Sequence, residues 1–271
     1  MRDTPFGRLV LSAREMVREQ VEFRELLLQM TRRDLLLRYK QTVMGFGWAI
    51  FMPVLNMVVF SVIFTRVAPI DTGIPYPIYA YCGLLPWSFF AQSLKFSAVS
   101  LTSNSNLVAK VYFPREIFPF SAILVSFVDF AVASSVLGLL MIYYQVPVAP
   151  TIVFLPVVIL VQVAFTAGLS LLLAMANLFY RDVKYLFEIV LSVWMFATSV
   201  VYPVDRVGGR LGAILALNPM SPIIDAYRAI LLRGELPDPV PFAAATAIAV
   251  STLAFGWVAF HRAEFEFAES L

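Results

Sequence analysis

The residues that could carry covalent or metal chemistry are few and far apart. His261 is the only histidine and Cys82 the only cysteine in 271 residues. No Ser/His/Asp triad, His-Glu-x-x-His pair or cysteine metal cluster can be assembled from this inventory, so neither a catalytic nor a metal-ligating set is expected. A Gly-x-x-x-x-Gly-Lys-Ser/Thr phosphate loop is also missing, and Val207-Gly208-Gly209-Arg210-Leu211-Gly212 does not replace it. These residues do not hydrolyse ATP by themselves.

One carboxylate stands out by its position. Asp129 lies 13 residues past Glu116 in an apolar run, about 20 Å along a helix. A charged carboxylate inside hydrocarbon costs roughly 2.5–3.5 kcal/mol on insertion scales, so it must face protein or water. Two roles fit it: a polar channel or dimer contact, or a structural hydrogen bond to Ser126, Ser134 or another span.

Three further segments mix polar and apolar residues at helical spacing. Residues 19–40 set Val21, Phe23, Leu26, Leu27, Met30 and Leu35–Leu37 among Arg33, Asp34, Arg38, Lys40 and other charges, with Tyr39 near the end. This reads as an amphipathic interfacial helix, either a membrane anchor or a lever. The run Asn104-Ser105-Asn106-Leu107-Val108-Ala109-Lys110-Val111-Tyr112-Phe113-Pro114-Arg115-Glu116 opens on polar caps and stops at proline, which predicts a brief helix. Its apolar residues, in a loop that should face water, suggest a surface for a docking partner. A shorter corner, 177–185, carries Arg181 and Asp182, which either cap helix ends or support coupling.

The elements that must position these residues follow from composition. The chain is 60% hydrophobic and 14% charged, against the roughly 45–50% and 25% of soluble domains, so the apolar surplus faces lipid. A span needs about 20 apolar residues. Uncharged runs of 25 (41–65), 23 (72–94) and 22 (239–260) residues each supply one. The 51 uncharged residues from 130 to 180 are broken by Pro147 and Pro150, giving spans at about 117–143 and 151–178; a further span lies near 186–203. The expected fold is all-α, a single domain of six transmembrane helices over 46–260. Residues 1–45 precede it as a cytoplasmic segment, and 261–271 follow as a tail.

Basic residues orient the bundle. Nine lie in the segment to residue 45, three between spans two and three, Arg181 and Lys184 between four and five, and Arg262 after six. That places 15 of 20 on one side, so both termini are expected in the cytoplasm. The net charge of +2 is uninformative beside this asymmetry. The first 30 residues lack the compact apolar stretch of a secretory signal and are expected to stay attached. The 24 Phe, 11 Tyr and 4 Trp include Tyr76, Tyr79, Tyr81 and Trp87 near the start of span two, and Trp194 and Tyr202 near span five. Such rings serve either as interfacial anchors or as platforms for sugar faces.

Arg33–Thr42 with Met44, Gly45 and Trp48, then Leu107–Glu116, then Asn177–Val183, then Asn218-Pro219-Met220-Ser221-Pro222, together resemble the membrane subunit of type-2 ABC exporters of polysaccharides. That family includes O-antigen, capsule and teichoic-acid export permeases. The resemblance implies a homodimer in a bacterial inner membrane, driven by two copies of a separate ATP-binding subunit that holds ATP and Mg. This chain would bind no cofactor, and its other partners would be lipid-linked polysaccharide and membrane lipids, with no nucleic acid. It also implies that Asn104–Glu116 is the main coupling element, with Arg181, Asp182 and the interfacial helix in support. Short re-entrant helices around Asn218, Pro219 and Pro222 would gate the exit, and Tyr79, Trp87, Asp129 and Tyr202 are further channel or gate candidates.

Overall fold

The computed structural model describes residues 21–40, 42–110, 113–202, 218–264 and 267; side chains are described except at 109 and 110. Among these residues the fold is helical. Helix α1 is Arg24–Tyr39, and α2 is Gly47–Val62, extended by a π turn to Val67. Helix α3 is Tyr76–Ser103, α4 is Ser105–Lys110 and α5 is Ile117–Tyr143. A 3-10 turn, Pro150–Phe154, leads into α6, Leu155–Phe179. Then follow α7, Val183–Phe196, α8, Met220–Arg228 with a π turn to Arg233, and α9, Pro239–Ala263.

Local chemistry sets the boundaries. Gly45 takes φ +53°, and its N–H donates to the Thr42 hydroxyl, so α2 starts six residues later than the uncharged run 41–65. Gln145 at φ +54° turns the chain between α5 and α6. Gly234 at φ +68° ends the π turn after α8. Asp238 caps α9 by accepting from the Val240 N–H, with Pro239 at the first helical position.

Four of these elements are long and apolar enough to cross a membrane: 47–67, 117–143, 150–179 and 239–263. They match the first, third, fourth and sixth expected spans. Helix α3 has the length, about 42 Å for 28 residues, but is less apolar, and 19 of its residues are buried. It runs through the middle of the bundle against α2, α5, α6, α7 and α8. A helix covered by neighbours along most of its length can keep Tyr, Ser and Gln where a peripheral one cannot. Helix α7 has only 14 residues, ending seven short of the span expected to reach 203.

Helices α6 and α9 form the most extensive pair. At their crossing a Cβ on Gly168 would fall 2.5 Å from the Thr252 and Leu253 backbone, and one on Gly256 would fall 2.4 Å from the Gly168 carbonyl oxygen. Glycine at both positions lets the backbones touch, the usual route to tight association between membrane helices.

Candidate functional site

The polar residues gather at the two ends of α3. At its C-terminal end, α1 lies along α5 and is fixed by a ladder of polar contacts. Arg33 donates to the Asn104 side chain at 2.8 Å and pairs with Asp34 at 2.7 Å. Asp34 accepts from the Ser121 hydroxyl at 2.9 Å. Further along, Arg38 and Tyr39 both donate to Asp129, and the Arg38 guanidinium sits 3.8 Å above the Phe96 ring. Burial, followed by the hydrogen bond to Asp129, raises the Tyr39 phenol above its usual range, so it remains a donor. The Asp129 partners therefore come from the interfacial helix. Ser126 and Ser134, two of the candidate partners, instead bond their own helix carbonyls at Ala122 and Phe130. Lys40, at the end of α1, is exposed.

The segment after α3 is more deeply packed than its composition suggests. Asn104 donates to the Ser100 carbonyl and closes α3. Helix α4 has six residues; Ser105 is partly covered and Asn106 exposed. Val108 and Phe113, expected at a docking surface, are buried against Leu101, Ile117, Leu178 and Phe260, with Leu107 packed on the same cluster. This corrects the expectation for those two: they are used inside the chain. Val111 and Tyr112 lie outside the described residues, as does the Lys110 side chain. Pro114 leads into α5. The Arg115 N–H donates to Glu264 Oε1 at 2.9 Å and its guanidinium to the Glu264 carbonyl, so Arg115 ties this segment to the end of α9. Glu116 is buried beside His261, with Glu116 Oε1 3.3 Å from His261 Nδ1. His261 Nδ1 is also 3.6 Å from Glu264 Oε2. Burial, and then the neighbouring Glu116 charge, raises Glu264 above the usual carboxylate range. Glu116, Glu264 and the single histidine thus share one corner. Nearby, buried Asn177 accepts from the Lys184 N–H and sets the turn into α7, leaving Arg181 and Asp182 exposed.

At the opposite end of α3, most of the gate candidates converge. The Asn218 side chain accepts from the Trp194 indole at 3.0 Å and the Met220 N–H at 3.1 Å. It donates to the Ala197 carbonyl at 2.9 Å and the Thr198 hydroxyl at 2.7 Å. Pro219 and Pro222 start α8 where missing N–H groups cost least. Trp87 is buried and packs edge-on to Trp194, while the Tyr202 hydroxyl donates to the Phe196 carbonyl. The centre of this knot is Arg228, one of the five basic residues that the charge count leaves on the opposite side from the termini. Arg228 is 1% exposed, donates to the Ser199 and Val200 carbonyls, meets Asp225 at 3.2 Å and stacks 3.8 Å over Tyr79. Its sequence signal was the Asp225–Arg228 spacing within an apolar stretch. Gln162 was also overlooked; it donates to the Pro86 carbonyl at 2.7 Å and accepts from Tyr227 at 2.6 Å. Asp129 belongs with α1 and not with this gate cluster. Residues 203–217, which precede Asn218 in the segment expected to hold the short re-entrant helices, lie outside the described residues.

Apolar helices of membrane length, packed round a less apolar central helix with polar knots at both ends, define a multi-pass membrane protein. The chain belongs to the ABC-2 type transporter family, whose model matches residues 25–232. It is 34% identical over 260 residues to the O-antigen export system permease protein RfbA of Myxococcus xanthus, covering 94% of this chain and 99% of that one. It is 28% identical over 250 residues to the O-antigen export system permease protein RfbA of Klebsiella pneumoniae, covering 91% and 95%.

Proposed function

We propose that this chain is the permease subunit of an ATP-driven exporter that moves lipid-linked polysaccharide of O-antigen type outward across a bacterial cytoplasmic membrane. The observation that carries this reading is the near end-to-end similarity to O-antigen export permeases from two bacteria. Energy comes from two copies of a separate ATP-binding subunit carrying ATP and Mg, since the sequence holds no phosphate loop. Helices α3 and α7 complete six spans, with both termini in the cytoplasm and the coupling end of α3 facing the ATPase. The subunit works as a homodimer. A hydrated glycan needs a wider path than six helices enclose, which supports a channel shared by two copies.

Deleting the gene tests the substrate. Polymer should accumulate on its lipid carrier inside the cell; unaltered surface polysaccharide would reject the reading in favour of drug or small-lipid export. Coupling is tested on exposed α4: Asn106→Trp should leave the subunit folded and its partner's ATPase running while export falls about tenfold, equivalent to about 1.4 kcal/mol. Normal export from that variant would remove α4 from the coupling interface.

A further inference from the structure

We propose that Glu116, His261 and Glu264 bind one divalent transition-metal ion of the Zn2+ class, bridging the exit of the coupling segment to the C-terminal end of α9. This inference does not depend on which substrate is exported. One ligand atom from each residue lies within 4.8 Å of the others. His261 Nδ1 is 3.3 Å from Glu116 Oε1 and 3.6 Å from Glu264 Oε2. A tetrahedral ion with bonds of about 2.0–2.1 Å holds its donors about 3.3–3.4 Å apart, so two of the three edges are already close to that size.

A second observation points to a missing cation. Glu116 is 1% exposed, and its Oε2 has no hydrogen-bond partner among the described residues. A buried carboxylate short of donors is costly, and a cation bound at Oε1, on the His261 side, would offset its charge. Glu264 is oriented from behind: the Arg115 N–H holds Oε1, leaving Oε2 on the His261 side. The two crowded carboxylates repel each other, and a dication turns that repulsion into shared attraction. An imidazole with two carboxylates suits Zn2+ better than Ca2+ or Mg2+, which prefer all-oxygen shells. His261 is 31% exposed on its side chain, so solvent can reach a fourth ligand position. The bound ion would pin Glu116, the last residue of the coupling segment, to the last long helix, adding to the Arg115–Glu264 contacts.

The test is titration of the purified full chain in detergent with Zn2+ alone, against a competing chromophoric chelator at neutral pH. The expected result is one Zn2+ per chain, with a raised thermal unfolding midpoint. His261→Gln and Glu116→Gln should each weaken binding at least ~10-fold. Co2+ should give the intense visible absorption of a four-coordinate site in the natural protein and lose it in His261→Gln. Should Glu116→Gln fail to fold, the partly exposed His261 still carries the test through its own variant. No stoichiometric binding by the natural protein, or unchanged affinity in His261→Gln, overturns the proposal.

Discussion

Gly168→Leu is expected to abolish accumulation of folded protein, and Gly168→Ala to lower its thermal midpoint measurably. The reason is the contact at the α6–α9 crossing, where an added Cβ meets main chain at 2.5 Å. Main chain cannot rotate away as the end of a flexible side chain would, so the helices must separate. Overpacking of this kind costs about 1–3 kcal/mol for one carbon, a large share of the 5–15 kcal/mol that holds a typical domain together. Leucine adds three more carbons at a site with no room for the first. Gly256→Ala should cost a similar amount, because its Cβ would meet the Gly168 carbonyl oxygen at 2.4 Å. The double alanine variant should lose less than the sum of the two, since the first substitution already opens the contact that the second would violate. Gly138 in α5 provides the control. Nothing lies within 4 Å of its added Cβ, so Gly138→Ala should be neutral or gain about 0.5–1 kcal/mol from helix propensity. Equal behaviour of Gly138→Ala and Gly168→Ala in thermal unfolding would discard the close-packing argument.

The second large effect is expected at Arg228. Arg228→Met, similar in length but uncharged, should destabilise the protein by about 3 kcal/mol or more and stop export. A buried charge is not stabilising in itself, and replacing a buried ion pair with apolar groups is often neutral. Here the partners decide otherwise. Methionine would leave the buried Ser199 and Val200 carbonyls without the donors that Arg228 supplies, at about 1–3 kcal/mol for each orphaned group. The stacking on Tyr79 adds a contribution of about 2 kcal/mol in a desolvated setting. Asp225, on the other hand, is 43% exposed on its side chain and would be rehydrated at little cost. Arg228→Lys should recover only part of the loss, because a single ammonium does not reproduce the planar fork that spans two carbonyls. An unchanged midpoint for Arg228→Met would mean that these carbonyls find other donors.

Much of the helix pattern was legible as charge spacing. The third span was expected at 117–143 and the helix is Ile117–Tyr143; the fourth and sixth differ from expectation by one and three residues at their ends. The second was read as ending before Lys95, yet α3 continues to Ser103. A charge marks where a helix leaves hydrocarbon, and the backbone hydrogen bonds can continue beyond it. The fifth was placed near 186–203, but α7 closes at Phe196 because Ala197–Val200 turn towards Asn218 and Arg228, whose side chains take up their carbonyls. Those side chains lie 20 or more residues away in sequence, beyond the reach of a local pattern.

The sequence by itself determined that the chain lives in a membrane and where most of its long helices run, because lipid sorts residues by apolarity alone. The tertiary structure decided which polar groups meet. Asp129 pairs with Arg38 and Tyr39, 91 and 90 residues away, and Glu116 lies against His261, 145 residues away. Gly168 touches Gly256 at the α6–α9 crossing. In a soluble helix the apolar face announces which side packs inward. A membrane helix is apolar towards lipid and protein alike, so its packing face is set by small residues and polar pairs, and these become visible only when the partner helix is in place.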